Sequence, residues 1–247
     1  MTNAGLGDVI GLMQRARTRY DWVELSADTY LRRDLFARAM HKQEAQASPG
    51  SVARLEPAEG WSAPPADAPV LVRQGRVHLW AHDLLRWRVD LELEEGYRQS
   101  EARNGMAFWR VVEATFDDDH AGPRLSVEEG PQYDPPQYMR LWDPALLVAE
   151  LSLELGGSAN VAGREGILLR ARPRPTLRPD GQDFILLEEG GDRYELVIDA
   201  ERGVVLRLIG ELDGERMTVE EVIEVIFDRP PPDGHLEPPV EPPAVPN

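Results

Sequence analysis

The densest cluster of titratable side chains in this 247-residue chain is Asp117-Asp118-Asp119-His120. Adjacent carboxylates are ligands for a hard cation. The run lacks the spacing and the turn glycine of a calcium loop, so it reads as a solvated acidic loop. His78 and His82 stand four apart, a spacing that pairs zinc ligands on a helix. Here they fall on a predicted strand and its turn, and a third ligand is missing. The chain has no G-x-S-x-G, no H-E-x-x-H and no phosphate loop ending in Lys. With 44 Asp and Glu residues, no carboxylate pair stands out for acid–base work. No nucleophile, base and oxyanion donors come together in the pattern. The expectation is a protein that is not an enzyme and needs no cofactor or metal.

The remaining residues of interest are aromatic. Trp80, Trp87 and Trp109 belong to neighbouring predicted strands. They either fill a core or line a cavity, and the spacing is compatible with both.

Composition narrows the partners. The net charge is −17, which repels phosphate backbones and anionic lipid surfaces, so no nucleic acid partner is expected. The absence of cysteine removes disulfides, thiolate metal sites and thiol nucleophiles. No run approaches the roughly 18–20 apolar residues of a membrane span, so no integral membrane segment is expected. An Asp interrupts the one apolar run near the start, and the basic residues follow it, unlike a secretory leader. As written, the chain is expected to be cytoplasmic, or exported if a leader has been trimmed from it.

The elements that must position these residues are mostly strands. In Trp87, Val89, Leu91 and Leu93 the apolar residues alternate without error against Arg86, Arg88, Asp90, Glu92 and Glu94, the pattern of a half-buried antiparallel strand. The segment 76–80 is its predicted hairpin partner. Asn104-Gly105 is a strong two-residue hairpin signal, because both positions favour positive φ. It predicts strands near 97–103 and 106–113. A further strand is predicted over 21–30, and others over 166–174, 183–189, 193–199, 203–212 and 215–228, about ten in all. Short links make neighbours antiparallel. An amphipathic helix is predicted over 4–20, with Leu6, Ile10 and Met13 on its apolar stripe. A second is predicted over 143–157, capped by Asp143, started by Pro144 and ended by Gly156. Residues 31–46 fit either a helix or a broken strand. Residues 47–69, around Trp61, read as a loop. The proline-dense residues 229–247 can join neither sheet nor helix. The division expected is therefore a single unit over 1–228 and a proline-rich tail over 229–247. The fold class expected is α+β: one curved antiparallel sheet, an incomplete barrel, with helices packed in its concave face.

Several stretches resemble the lipoprotein-carrier (LolA-like) superfamily, which includes the N-terminal domain of RseB-type regulators. "VAGREGILLRARPR" is similar to its G-R strand that ends near a proline. "YELVIDAERGVVLRL" is similar to its Asp-containing hairpin, and "EEVIEVIFDRPPPDG" to its closing strand. "VHLWAHDLLRWRVD" and "NGMAFWRV" resemble the actinobacterial branch. The resemblance covers most of the chain after residue 70. It implies a sheet that, with its helices, encloses a lipid or acyl chain. The ligand-lining residues it suggests are Trp87, Leu91, Trp109, Leu147 and Leu151.

Two functions stand beside each other at this point. One is a non-catalytic protein that holds a hydrophobic small molecule or lipid between sheet and helices. The other is an acidic protein-interaction or regulatory module of the same fold, with a protein partner and no ligand.

Overall fold

A computed structural model describes residues 5–46, 70, 72–113, 124–129, 138–174 and 190–238. The acidic run 117–120, the loop 47–69 and the expected strand 183–189 lie outside the described residues. The strands are β1 (Val23–Arg32), β2 (Val72–Asp83), β3 (Arg86–Leu93), β4 (Arg98–Asn104), β5 (Ala107–Glu113), β6 (Arg124–Glu129), β7 (Leu151–Val161), β8 (Arg164–Pro173), β9 (Arg193–Asp199), β10 (Val205–Leu212) and β11 (Glu215–Phe227). The helices are α1 (Leu6–Gln14), α2 (Arg33–Gln46), α3 (Met139–Trp142) and α4 (Ala145–Glu150), with a 3₁₀ turn over Ala16–Thr18.

The strands form one sheet in the order β6-β5-β4-β3-β2-β1-β11-β10-β9-β8-β7. Hairpins join β2 through β6, and again β7 through β11, so the sheet is two meanders sewn together where β1 pairs with β11. Every pair is antiparallel. Flat, β7 and β11 would lie four strand spacings apart, about 19 Å. Their Cα atoms instead approach within 8 Å. The sheet therefore curls strongly at this end, while β6 and β7 remain unjoined edges. Bulges at Ser26/Ala27, Gly210/Glu211 and Leu155/Gly157 supply part of the curl. This is the curved, open antiparallel sheet with helices that the residue pattern calls for.

Alternation decides which face is inner. Val77, Leu79 and Ala81 on β2 join Trp87, Val89 and Leu91 on β3 in one buried cluster with Val9, Leu12 and Met13 of α1. Leu141 and Trp142 of α3 and Leu147 of α4 complete it. The turn between β9 and β10 presses against α1. Gly203 has φ +85° there, and a Cβ would stand 2.7 Å from the Leu12 carbonyl. Only glycine fits both demands. Helix α2 covers a satellite cluster of Leu35, Ala39, Leu212 and Met217, which settles residues 31–46 as strand end plus helix.

Two expectations need correction. The helix expected over 143–157 is only Ala145–Glu150; Leu151–Val161 is the edge strand β7. Leu147, Leu151 and Leu153 fit a helical stripe, but Leu151 and Leu153 also alternate with Ser152 and Glu154. Hydrogen bonding to β8 selects the second period, because an extended chain there completes a sheet that a helix would leave open. Asp143 ends α3 rather than starting the next helix, and Gly156 sits at the bulge of β7. The second is a strand the pattern left out: β6 begins at Arg124, just after the acidic run, and covers residues to which no element is assigned. Among the described residues, no helix is long and apolar enough to cross a membrane.

Candidate functional site

The inner face is filled. Trp87, Leu147 and Leu151 have no exposed area, and Leu91 is also buried; all four belong to one cluster. The sheet and α4 thus bring together four of the five residues expected to line a ligand. Trp109 is not among them. Registers run Arg88↔Ala102 and Ala102↔Trp109, so Trp109 shares the face of Arg88, opposite Trp87. Its distance from the inner cluster follows from strand parity: the two-residue turn is Gly105-Met106, one residue later than expected, because Asn104 ends β4 opposite Ala107 and only Gly105 has a positive φ.

Polar groups also lie within the inner layer. Arg140 of α3 pairs with Glu220 of β11: its Nε donates to Oε2 at 3.0 Å and its Nη2 to Oε1. Both side chains are 2% exposed. The Tyr20 hydroxyl donates to the Trp142 carbonyl at 2.7 Å. Burial pushes the Tyr20 phenol far above its usual range, and the nearby Asp143 carboxylate adds to the rise. Asp143 itself is raised by burial, partly offset by Arg17 at 3.2 Å. These bonds tie the segment Arg17–Tyr20, α3 and the sheet together and leave the carboxylates paired. They are a locking arrangement, with no group held toward an open space.

The outer face carries a different constellation. Glu24, Trp80, Arg88, Ala102 and Trp109 are successive cross-strand partners on β1 to β5, forming one row perpendicular to the strands. His78 stacks on Trp80 with ring centroids 3.9 Å apart, and its Nε2 lies 3.1 Å from Glu24 Oε1. Arg88 bonds both oxygens of Asp90 through Nε at 3.0 Å and lies over the Trp109 ring at 5.3 Å. The small Ala102 between them leaves room for that arrangement. His82 lies elsewhere, beside Asp21 and the Trp22 ring. Among the described residues, no group of three or more His, Asp or Glu could hold a metal ion.

The segment that follows β11 lies along this row. Arg229 pairs with Glu24. The His235 ring meets Trp80 edge-on, with centroids 4.1 Å apart. The His235 carbonyl accepts from Arg88 Nη1 at 2.8 Å, and the Leu236 carbonyl from Trp109 Nε1 at 3.0 Å. Glu237 accepts from Asn104 at 3.0 Å. Burial, then the Arg88 charge, lowers the His235 imidazole below its ordinary value. Sequence reading identified the proline-dense segment but not its seat. The signal was there, in a tryptophan and an arginine on the polar face of alternating strands.

Further along the same strands the outer face holds a trough of about 1000 Å³. Asp28, Glu92, Glu94, Glu113 and Glu221 line it, with Arg76 and Arg98 as the cationic members. The cations are engaged: Arg76 pairs with Asp28 and Arg98 with Glu92.

No family model matches the chain. No curated protein matches it. Among solved structures, a crystal structure of MucB aligns over 95% of this chain and 63% of its own, at 16% identity and TM-score 0.51. The Pseudomonas aeruginosa MucA/MucB complex aligns over 94% and 60%, at 17% identity and TM-score 0.49. A LolA superfamily protein from Nitrosomonas europaea aligns over 95% and 98%, at 10% identity and TM-score 0.32. The chain spans about three fifths of the length of the MucB chains it matches. At this identity the MucB likeness is one of fold. That shared fold agrees with the fold the sequence resemblance implied, and it does not test the actinobacterial branch.

Proposed function

We propose that this chain is a non-catalytic protein-interaction module that binds its partner on the outer surface of the sheet. The observation that supports this reading is the filled inner face. Trp87, Trp142, Leu147 and Leu151 are wholly buried in one cluster of packed side chains among the described residues. The open space is outside, in the acidic trough. A net charge of −17 favours a basic partner and speeds its encounter. MucB, of the same fold, has a protein partner in MucA, which is a precedent and no more.

The test is fluorescence anisotropy with a short Lys/Arg-rich peptide across increasing salt. Binding should weaken steeply from about 0.1 to about 1 M salt, as the screening length falls from about 10 to about 3 Å. Absence of binding at low salt would overturn the reading.

One observation favours a second reading, a hydrophobic ligand held between sheet and helices. Leu146 on α4 is 43% exposed, and α4 packs against α1, whose Leu6 and Ile10 are only partly buried. If α1 and α4 swing outward, an acyl chain would reach Trp87, Leu91, Leu147 and Leu151. Native mass spectrometry followed by organic extraction decides it. A co-purifying species of lipid mass would replace the first reading with the second.

A further inference from the structure

The row of outer-face side chains described above is preorganised. Trp80 is braced by His78, and His78 by Glu24. Arg88 is oriented by Asp90 and by the ring of Trp109. All of these contacts belong to the sheet and persist without the segment that lies on it. The row offers two donors, Arg88 Nη1 and Trp109 Nε1, to two consecutive backbone carbonyls, and offers the face of Trp80 to one ring. Donors fixed to meet a peptide backbone, with an aromatic surface beside them, are the elements of peptide recognition.

The present occupant is held lightly. Of residues 229–238 only Pro231, His235 and Leu236 are even half-buried. The two tight turns, His235 N–H to the Pro232 carbonyl and Glu237 N–H to the Gly234 carbonyl, are made within the segment itself. The fit is also imperfect: His235 Nε2 is buried without a hydrogen-bond partner among the described residues. Such an orphaned nitrogen weakens docking. Lifting the segment would uncover Trp80 and Trp109, which are 8% and 2% exposed beneath it.

We propose that the row Glu24–Trp80–Arg88–Trp109 is a peptide-binding site, closed in cis by the chain's own Arg229–Glu237 segment. When that segment lifts, the site accepts a proline-flanked peptide of the same kind from a protein partner. This inference stands on the seated segment and not on the acidic trough. Failure of the cationic peptide to bind would leave it untouched.

Tethering gives the cis segment an effective concentration of about 1 mM. A free peptide whose own dissociation constant is about 0.1 mM would then bind the intact chain about tenfold more weakly than the open site. The test uses a labelled synthetic peptide with the sequence of residues 229–238. Full-length chain carrying Arg229→Ala and His235→Ala should bind it about tenfold more tightly than the unaltered chain. Adding Trp109→Phe, which removes one donor and keeps the ring, should reverse most of that gain. Equal binding by the unaltered and loosened chains, or a Trp109→Phe variant that binds as well as its parent, would overturn the proposal. A second measurement needs no substitution. With a fluorophore at the C-terminus of the unaltered chain, millimolar unlabelled peptide should lower the anisotropy by displacing the segment. Unchanged anisotropy would overturn it as well.

Discussion

Removing the Glu220 carboxylate is the perturbation whose consequence the structure defines most tightly. Glu220 lies in the middle of β11, and Arg140 lies on the single-turn helix α3, flanked by the buried Met139 and Leu141. The two side chains meet bidentately with 2% exposure each. Glu220→Gln takes the Glu220 carboxylate charge away from a guanidinium held in a dry layer. Breaking such a pair costs about 3–5 kcal/mol. For a chain of this length each kcal/mol lowers Tm by about 2–4 °C, so the loss expected is roughly 6–20 °C. The companion variant separates charge from shape. With Arg140→Met and Glu220→Leu together, no charge is left buried, and stability should return to within about 1 kcal/mol of the parent or exceed it. Thermal unfolding by circular dichroism reads both. If Glu220→Gln costs less than about 1 kcal/mol, the pair is not desolvated as the geometry has it. If the double variant is as damaged as the single, the loss comes from packing of α3, and the electrostatic argument fails.

Two further outcomes follow from the same structure. Acid should release the C-terminal segment. The His235 imidazole is lowered in the docked state, so docking prefers the neutral ring; its contribution is complete above the ordinary value of 6.5 and is lost as pH falls through the lowered one. Arg88 and His78 oppose protonation, while Asp90 and Glu24 favour it, and the former prevail with burial. Tryptophan emission should therefore shift as Trp80 and Trp109 are uncovered once pH falls below the ordinary value of 6.5, and His235→Phe should abolish the shift; a shift that survives His235→Phe would assign it to another group. Gly75→Ala should destabilise by about 1–3 kcal/mol or more, because the added Cβ would stand 2.2 Å from the Glu92 carbonyl, a backbone atom that cannot step aside. Chemical denaturation reads this, and a neutral result would mean that β2 and β3 are free to separate at that point.

The sequence alone determined the strands, because their evidence is local. Alternation at Trp87–Leu93 needs only neighbours in the chain, and Gly105 marks a tight turn by its own freedom, although Asn104 ends the strand instead of entering the turn; β3, β4, β5, β9, β10 and β11 appear close to where the pattern puts them. What failed was a segment with two valid local periods. Leu147, Leu151 and Leu153 satisfy helix and strand alike, and only pairing with β8 chose between them. The buried pair Arg140–Glu220 left no signal, since 80 residues separate its partners and each looks like an ordinary surface charge. The candidate site divides in the same way. Trp87, Leu91, Leu147 and Leu151 do fall in one buried cluster, yet which face Trp109 occupies depends on register across three strands. The seat of Arg229–Glu237 on Trp80, Arg88 and Trp109 was decided by tertiary structure alone. Proline and glycine forbade the segment a place in the sheet, and said nothing of where the chain would lie once it had left β11.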